Sequence, residues 1–319
     1  NHMTTGPMDP PKNLLTEELR IALSSPIPSL RTPFTIDGDV DWDGVRSQVD
    51  FVIAGGARTI MITWGDSLHS VLTDDEVAEL ARTVVEHPAG RAKVIAADNM
   101  WATPKAVAYA EYCAEIGADL LMLLPPNWAG STTPDSLVTH FAACGVHLPT
   151  MVVTAYFNQG AVPPVSACMD LIKRLHAQVP RVVAIKDDLL GELGVQICSS
   201  VRPEWAVVSG GLMRNHTFQV PWGVDGYLSM FMSFRPDIAW KYFEAIESGN
   251  YHGAWETMRQ IEGPLRDYMG QSPGGFNAIV HGLSELYGVS GRYLRPPYTT
   301  LTDAQMDDLA GVCKDLGIL

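Results

Sequence analysis

Eight short apolar runs, each followed by a segment with helical period, constrain the fold of this chain more than any other feature. The runs are Ile27 to Thr32, Thr59 to Thr63, Lys93 to Ala97, Leu120 to Leu124, Thr150 to Thr154, Val182 to Lys186, Ala206 to Ser209 and Gly226 to Ser229. Such runs suit strands buried on both faces, and a helix after each strand is the connection that a parallel sheet requires. The helix starts are legible too. Thr73-Asp74-Asp75-Glu76 is a capping box ahead of the apolar face Val77, Leu80, Ala81 and Val84, and Thr103-Pro104 offers an N-cap followed by proline at the first helical position. A doubly wound sheet also alternates in this way. Eight strands, with no Gly-x-Gly-x-x-Gly after the first, favour closure into a TIM (β/α)8 barrel. Pro236 to Ser248 reads as the last barrel helix, stopped by Gly249. Three further helical stretches, Ala254 to Tyr268, Phe276 to Tyr287 and Asp303 to Leu316, exceed what a barrel needs and predict a C-terminal helical extension. The expected division is therefore an N-terminal tag and lead-in over 1–25, the barrel over 26–249 and the extension over 250–319. Within the lead-in, Asn1 to Met3 reads as the remnant of an expression tag, Pro10 and Pro11 mark loose structure, and Thr16 to Leu23 a short helix.

Composition narrows the function classes. A chain of 319 residues with 46% hydrophobic and 18% charged residues has enough apolar content for one large core. A net charge of −14 with no basic stretch argues against a nucleic-acid partner. The five cysteines are widely spaced and odd in number, which disfavours a disulfide framework or a Cys-x-x-Cys metal site and fits a reducing cytoplasm. No apolar run approaches the roughly 18 residues of a spanning helix, so no membrane partner is expected, and the N-terminus lacks the order of a signal peptide. The histidines show no His-x-x-x-His spacing. Asp98, Asp187 and Asp188 could in principle hold Mg2+ at strand ends, but Asp187 and Asp188 are chain neighbours where enolase-like barrels draw one ligand from each successive strand. No metal and no cofactor are expected.

Lys186 ends the run Arg181-Val-Val-Ala-Ile-Lys186 and is followed at once by Asp187 and Asp188. Barrel chemistry sits at the carboxyl ends of the strands, where a partly desolvated lysine can attack a carbonyl as the neutral amine. The segment alone leaves two readings open, a Schiff-base lysine or a strand-end lysine ion-paired with Asp187 or Asp188.

From Ser29 to the C-terminus the chain resembles the dihydrodipicolinate synthase and N-acetylneuraminate lyase family of class I aldolases. The landmarks run in order. Thr32-Pro33-Phe34 follows the first strand; Thr63-Trp-Gly-Asp-Ser67 stands where the family has Gly-Thr-Thr-Gly-Glu-Ser; Tyr156-Phe-Asn158 follows strand five. Ala184-Ile-Lys-Asp187 matches Gly-Ile-Lys-Glu/Asp, Ser209-Gly210 ends strand seven, Gly223-Val-Asp-Gly-Tyr-Leu-Ser229 approaches strand eight, and Leu294 to Thr302 resembles the family's ending. The resemblance implies that Lys186 forms an imine with pyruvate or a related 2-oxo acid, that Tyr156 shuttles protons beside it, and that Thr63 hydrogen-bonds Tyr156. It also implies that backbone N–H groups from Thr63 through Trp64 to Gly65 hold the substrate carboxylate, with Gly65 permitting close approach, and that Ser209, Gly210 and Leu228 line the rest of the substrate site. A homo-oligomer, tetramer or dimer, is implied as well.

Departures from the pattern bear on specificity. Trp64 replaces a threonine whose hydroxyl faces the carboxylate; Asp66 replaces a glutamate; Pro126-Asn127-Trp128 replaces the Tyr-Tyr pair that supplies an inter-subunit relay. After Tyr156 the chain reads Phe-Asn-Gln-Gly-Ala-Val-Pro163, without the arginine that dihydrodipicolinate synthases use for the aspartate semialdehyde carboxylate, so lysine biosynthesis is not the expected role. Gly211 replaces an aspartate. Trp64, Trp101, Trp128, Tyr156 and Phe231 predict an aromatic mouth for a bulkier 2-oxo acid. The expected function is a Schiff-base lyase, aldolase or dehydratase. The alternatives are a barrel that binds a 2-oxo acid without turnover, as a sensor, and a metal-dependent barrel enzyme.

Overall fold

The computed structural model describes residues 15–158 and 163–319. The readings of Asn1 to Met3, of Pro10 and Pro11, and of Gln159 to Val162 after Tyr156 lie outside them.

Eight parallel strands follow one another around a barrel: β1 Pro26–Ile27, β2 Thr59–Met61, β3 Lys93–Ala97, β4 Leu120–Leu123, β5 Thr150–Val153, β6 Val182–Asp187, β7 Ala206–Ser209 and β8 Gly226–Leu228. Their order in the sheet is β1-β8-β7-β6-β5-β4-β3-β2, and the parallel bridge from Ser29 to Met61 brings the two ends together. β1 is shorter than the expected run to Thr32. Pro28 has no N–H for the ladder, so after Ile27 the chain turns to β2, where Leu30 N–H donates to the Met61 carbonyl at 2.8 Å. Likewise β2 stops before Thr63, because the chain bends there into the turn that carries Trp64 and Gly65.

A short helix α1, Glu17–Leu23, precedes β1 and is capped by Thr16, whose side chain accepts from Leu19 N–H. Eight helices alternate with the strands: α2 Trp42–Ala54, α3 Asp74–Glu86, α4 Thr103–Ile116, α5 Pro134–Gly145, α6 Val165–Gln178, α7 Gly191–Val201, α8 Met213–Gln219 and α9 Pro236–Glu247. The Thr73–Glu76 capping box forms as expected, with both reciprocal bonds present. Strand interiors such as Ile60, Ile95, Leu121, Ile185 and Val207 are buried, and all five cysteines are free thiols in the core.

The extension differs from expectation in one respect that matters for the site. Its first helix is two segments, α10 Tyr251–Thr257 and α11 Gly263–Gln271, joined by a π turn at Met258–Glu262. Pro264 lacks the N–H that an unbroken α-helix would use there, and the wider turn absorbs the defect. That turn directs Glu262 inward, 4% exposed, where both carboxylate oxygens accept the Met213 N–H at the start of α8. α12, Gly275–Leu286, then packs on α11 and on α13, Asp303–Asp315. Among the described residues no helix is long and apolar enough to cross a membrane.

Candidate active site

β6 supplies the centre of the site. Lys186 pairs with Val153 of β5 and Val208 of β7, level with the carboxyl ends of both neighbours. Its side chain is nearly buried, and Nζ donates to Asp188 Oδ1 at 2.6 Å. The ion pair expected of a strand-end lysine is therefore present, and its partner is Asp188. Asp187 points the other way, as alternation along a strand requires. It is fully buried: Oδ1 accepts from the Thr154 hydroxyl at 3.0 Å and from the N–H groups of Leu189 at 3.0 Å and Leu190 at 3.1 Å, and Oδ2 accepts from Gln219 at 3.2 Å. Burial pushes the Asp187 carboxyl upward in pKa, against those hydrogen bonds. Thr154 Oγ1 in turn accepts the Asp188 N–H at 2.7 Å. Asp187 and Thr154 thus fix the backbone that aims Asp188 at the lysine.

Lys186 opens on a cavity of about 230 Å³ whose walls are the Thr63–Asp66 turn, Asp98, Asp188, Gly210 and Leu228. In that turn the Thr63 N–H is taken by Ser67 Oγ at 3.0 Å, and Thr63 Oγ1 accepts the Asp66 N–H at 2.9 Å. The backbone N–H groups of Trp64 and Gly65 carry no hydrogen bond among the described residues. The Trp64 indole N–H donates to Asn99 Oδ1 at 2.8 Å, which holds the ring against the cavity wall. A Cβ on Gly65 would meet nothing within 4 Å, and its φ is not positive, so the turn does not demand glycine there; its absence of side chain leaves the cavity open. Gly210 is different. A Cβ there would lie 1.9 Å from Asp188 Oδ1, so only glycine lets that carboxylate reach Lys186. Leu228 lines the same cavity, whereas Ser209 is fully buried behind it and does not.

Two sequence expectations need correction. The expected Tyr156–Thr63 hydrogen bond does not form. Thr154 is drawn to the end of β6, so the chain winds at once into the short 3-10 turn Thr154–Asn158, and the Tyr156 hydroxyl pairs with Thr132 Oγ1 instead. Tyr156 stacks edge-on against Phe157 at 5.4 Å and lines a separate cavity of about 580 Å³. The aromatic mouth is also smaller than expected. Trp64 lines the lysine cavity and Phe231 an adjoining one, but Trp128 is 89% exposed and Trp101 packs edge-on against Tyr109 at 5.0 Å.

Asp98 was legible in the sequence only as one of three strand-end carboxylates, with Asp187 and Asp188, weighed as metal ligands. It is fully buried at the end of β3, with Oδ1 accepting the Leu124 N–H at 2.8 Å and Oδ2 without a partner among the described residues. Desolvation pushes its pKa to about 7, against the backbone bonds that lower it. Asp66 accepts from the Ser29 hydroxyl at 2.7 Å and faces Arg31 at 3.4 Å. Burial opposes its ionisation, but the charges of Arg31, Lys186 and Arg266 together with the Ser29 bond hold it below the ordinary carboxylate range. Among the described residues no group of three His, Cys, Asp or Glu side chains converges in a way that could hold a metal ion.

A barrel with a buried lysine at the end of strand six, facing a cavity, agrees with the comparison to known proteins. The profile of the dihydrodipicolinate synthetase family matches residues 22–316. The chain belongs to that family. Family members are enzymes, Schiff-base aldolases and dehydratases of pyruvate-derived substrates. Among relatives, a protein of Bradyrhizobium diazoefficiens named "Probable 5-dehydro-4-deoxyglucarate dehydratase" is 25% identical over 289 residues, covering 89% of this chain and 90% of that one. A 4-hydroxy-tetrahydrodipicolinate synthase of Methanosarcina barkeri is 27% identical over 302 residues, covering 92% and 98%. The crystal structure of dihydrodipicolinate synthase from Oceanobacillus iheyensis superposes with a TM-score of 0.82 at 21% identity, over 95% of this chain and 99% of that one. N-acetylneuraminate lyase from Fusobacterium nucleatum gives 0.79 at 14% identity, over 92% and 99%. At those identities the two structures establish the family's barrel fold and nothing finer.

Proposed function

We propose that this member of the dihydrodipicolinate synthetase family is a lyase that forms a Schiff base between Lys186 and a 2-oxo acid. The observation that carries the reading is the placement of the Lys186 amine on the wall of a cavity, hydrogen-bonded to Asp188 and shared with the open N–H groups of the Thr63–Asp66 turn. Asp188 accepts the ammonium proton, and the neutral amine adds to the C2 carbonyl. The carbonyl oxygen then takes up protons and leaves as water, so the C=O bond is replaced by C=N. The Trp64 and Gly65 N–H groups hold the substrate carboxylate, as free amides of a tight turn do. The protonated imine draws electrons from the adjacent carbon, which is the shared requirement of aldol cleavage and of dehydration.

Abstracting a proton next to that imine needs a base, and the cavity wall offers Asp98. A carboxyl near pKa 7 is matched to neutral pH for proton transfer. As a base it works ionised, so turnover is expected to rise through pH values near 7. Asp98→Asn keeps an acceptor for Leu124 N–H, yet should lower kcat by about 10²- to 10⁴-fold and flatten that limb. An unchanged rate and pH profile would remove Asp98 from the mechanism.

The reading as a whole is tested by assaying 2-oxo acid cleavage or dehydration after exhaustive treatment with a chelator. Turnover should survive, since the imine supplies the electron sink. Loss of activity that returns on adding a divalent metal would favour a metal-dependent barrel instead, and binding of 2-oxo acids with no turnover would favour a sensor.

A further inference from the structure

Next to the lysine cavity lies a second, of about 160 Å³, enclosed by the segments that follow β1 and β7, by β8 and the turn after it, and by the extension; it shares Asp66, Gly210 and Leu228 with the first. Two guanidinium groups meet in it. Arg31, just beyond β1, and Arg266, on α11, lie over the Phe276 ring at 4.8 Å and 4.7 Å. Arg31 is 4% exposed, and its Nε and Nη1 atoms have no hydrogen-bond partner among the described residues; its ion pair with Asp66 uses Nη2 alone. Arg266 has no ion-pair partner among the described residues and reaches Met230 Sδ at 4.0 Å. Glu262, the other acid in the wall, spends both oxygens on the Met213 N–H. The pocket therefore holds two cations, one ion-paired carboxylate and Glu262, whose charge also acts on Arg266, with buried donor atoms of Arg31 left open. Leaving a guanidinium buried and unsatisfied is costly, and a planar carboxylate matches its fork.

We infer that this pocket is the subsite for a second carboxylate of the substrate, held by Arg31 and Arg266, so that the 2-oxo acid bound at Lys186 is a dicarboxylic acid. The inference rests on the Schiff-base reading above and deepens it. Asp66 stands at the junction of the two cavities: it pairs with Arg31 and lies within the electrostatic reach of both Lys186 and Arg266. A ligand chain passing from one to the other would cross Gly210 and Leu228, which bring a missing side chain and an apolar one to that passage. The π turn that Pro264 imposes places Arg266 here, so the extension takes part in specificity.

Titration calorimetry on the full chain tests this with 2-oxoglutarate, 2-oxoadipate and 2-oxopimelate against the matched monocarboxylates 2-oxopentanoate, 2-oxohexanoate and 2-oxoheptanoate. At least one diacid should bind about tenfold to a hundredfold more tightly than its partner, the worth of a charge-assisted contact. In Arg266→Met that ratio should collapse toward one. Arg31→Lys, which keeps a cation opposite Asp66 but loses the fork, should reduce it as well and guards against misfolding of the first variant, with thermal melts run alongside. Equal affinities in the wild type, or equal weakening of diacid and monoacid in Arg266→Met, would overturn the subsite. Borohydride treatment of the same mixtures separates the two readings: an Arg266-dependent preference for diacids with no covalent adduct would uphold the subsite and contradict the imine.

Discussion

Replacing Lys186 with alanine is expected to reduce turnover by roughly three orders of magnitude or more, because among the described residues no other amine lines the cavity and the covalent route closes. The protein should still fold. The lysine already faces a cavity, and Asp188, 22% exposed in its side chain, keeps access to water when its partner is removed. A melting temperature within a few degrees of wild type is therefore expected, the shift that about 1 kcal/mol produces in a chain of this size. Loss of the fold in this variant would make Lys186 a structural ion-pair residue, the alternative that its short bond to Asp188 raises.

Asp187→Ala is expected to do the reverse, damaging stability first. Its carboxylate receives four hydrogen bonds, and truncation strands the N–H groups of Leu189 and Leu190, the Thr154 hydroxyl and the Gln219 amide in the interior. At about 1 kcal/mol for each unmet donor the total is about 3 to 5 kcal/mol, or roughly 10 °C in melting temperature. Asp187→Asn retains an acceptor oxygen and should lose less than half of that. Calorimetric melts of the two variants decide the matter, and equal losses would show that the negative charge, rather than the accepted bonds, is what the site needs. Because Asp187 and Thr154 position Asp188, imine formation should slow in both variants even where they remain folded.

The barrel was legible because its signal is repeated. Eight strands buried on both faces must be apolar throughout, and the capping box at Thr73 marks a helix by local chemistry alone; at α4 the expected cap does not form, since Ala102 is the N-cap and Thr103, the first helical residue, pairs with His140 Nδ1. Lys186 was legible for the same reason, as the one charged side chain closing any of the eight apolar runs. What escaped was whatever depends on two distant segments meeting. Asp98 becomes an acid–base candidate only when burial leaves it without water, and no neighbour in sequence reports that burial. Tyr156 was expected beside Thr63 because it follows a strand end, but the pull of Asp187 on Thr154 winds the next residues into a tight turn that carries the phenol to Thr132. Arg31 and Arg266 lie far apart in the chain, and only the packing of the extension brings both onto Phe276. The π turn was hidden too, although Pro264 in a helical stretch is a sign that could have been followed.

The central claim is that Lys186 carries the substrate as an imine, and it is read most directly by reduction. The protein is incubated with a panel of 2-oxo acids and borohydride, its intact mass is measured, and the adduct is located by peptide mapping. The account predicts a single stable addition on Lys186, equal to the acid less the water lost on imine formation plus the hydrogens gained on reduction, which is the acid less its keto oxygen. An adduct confined to Lys173 or Lys241, or none with any acid that the protein is shown to bind, would contradict it.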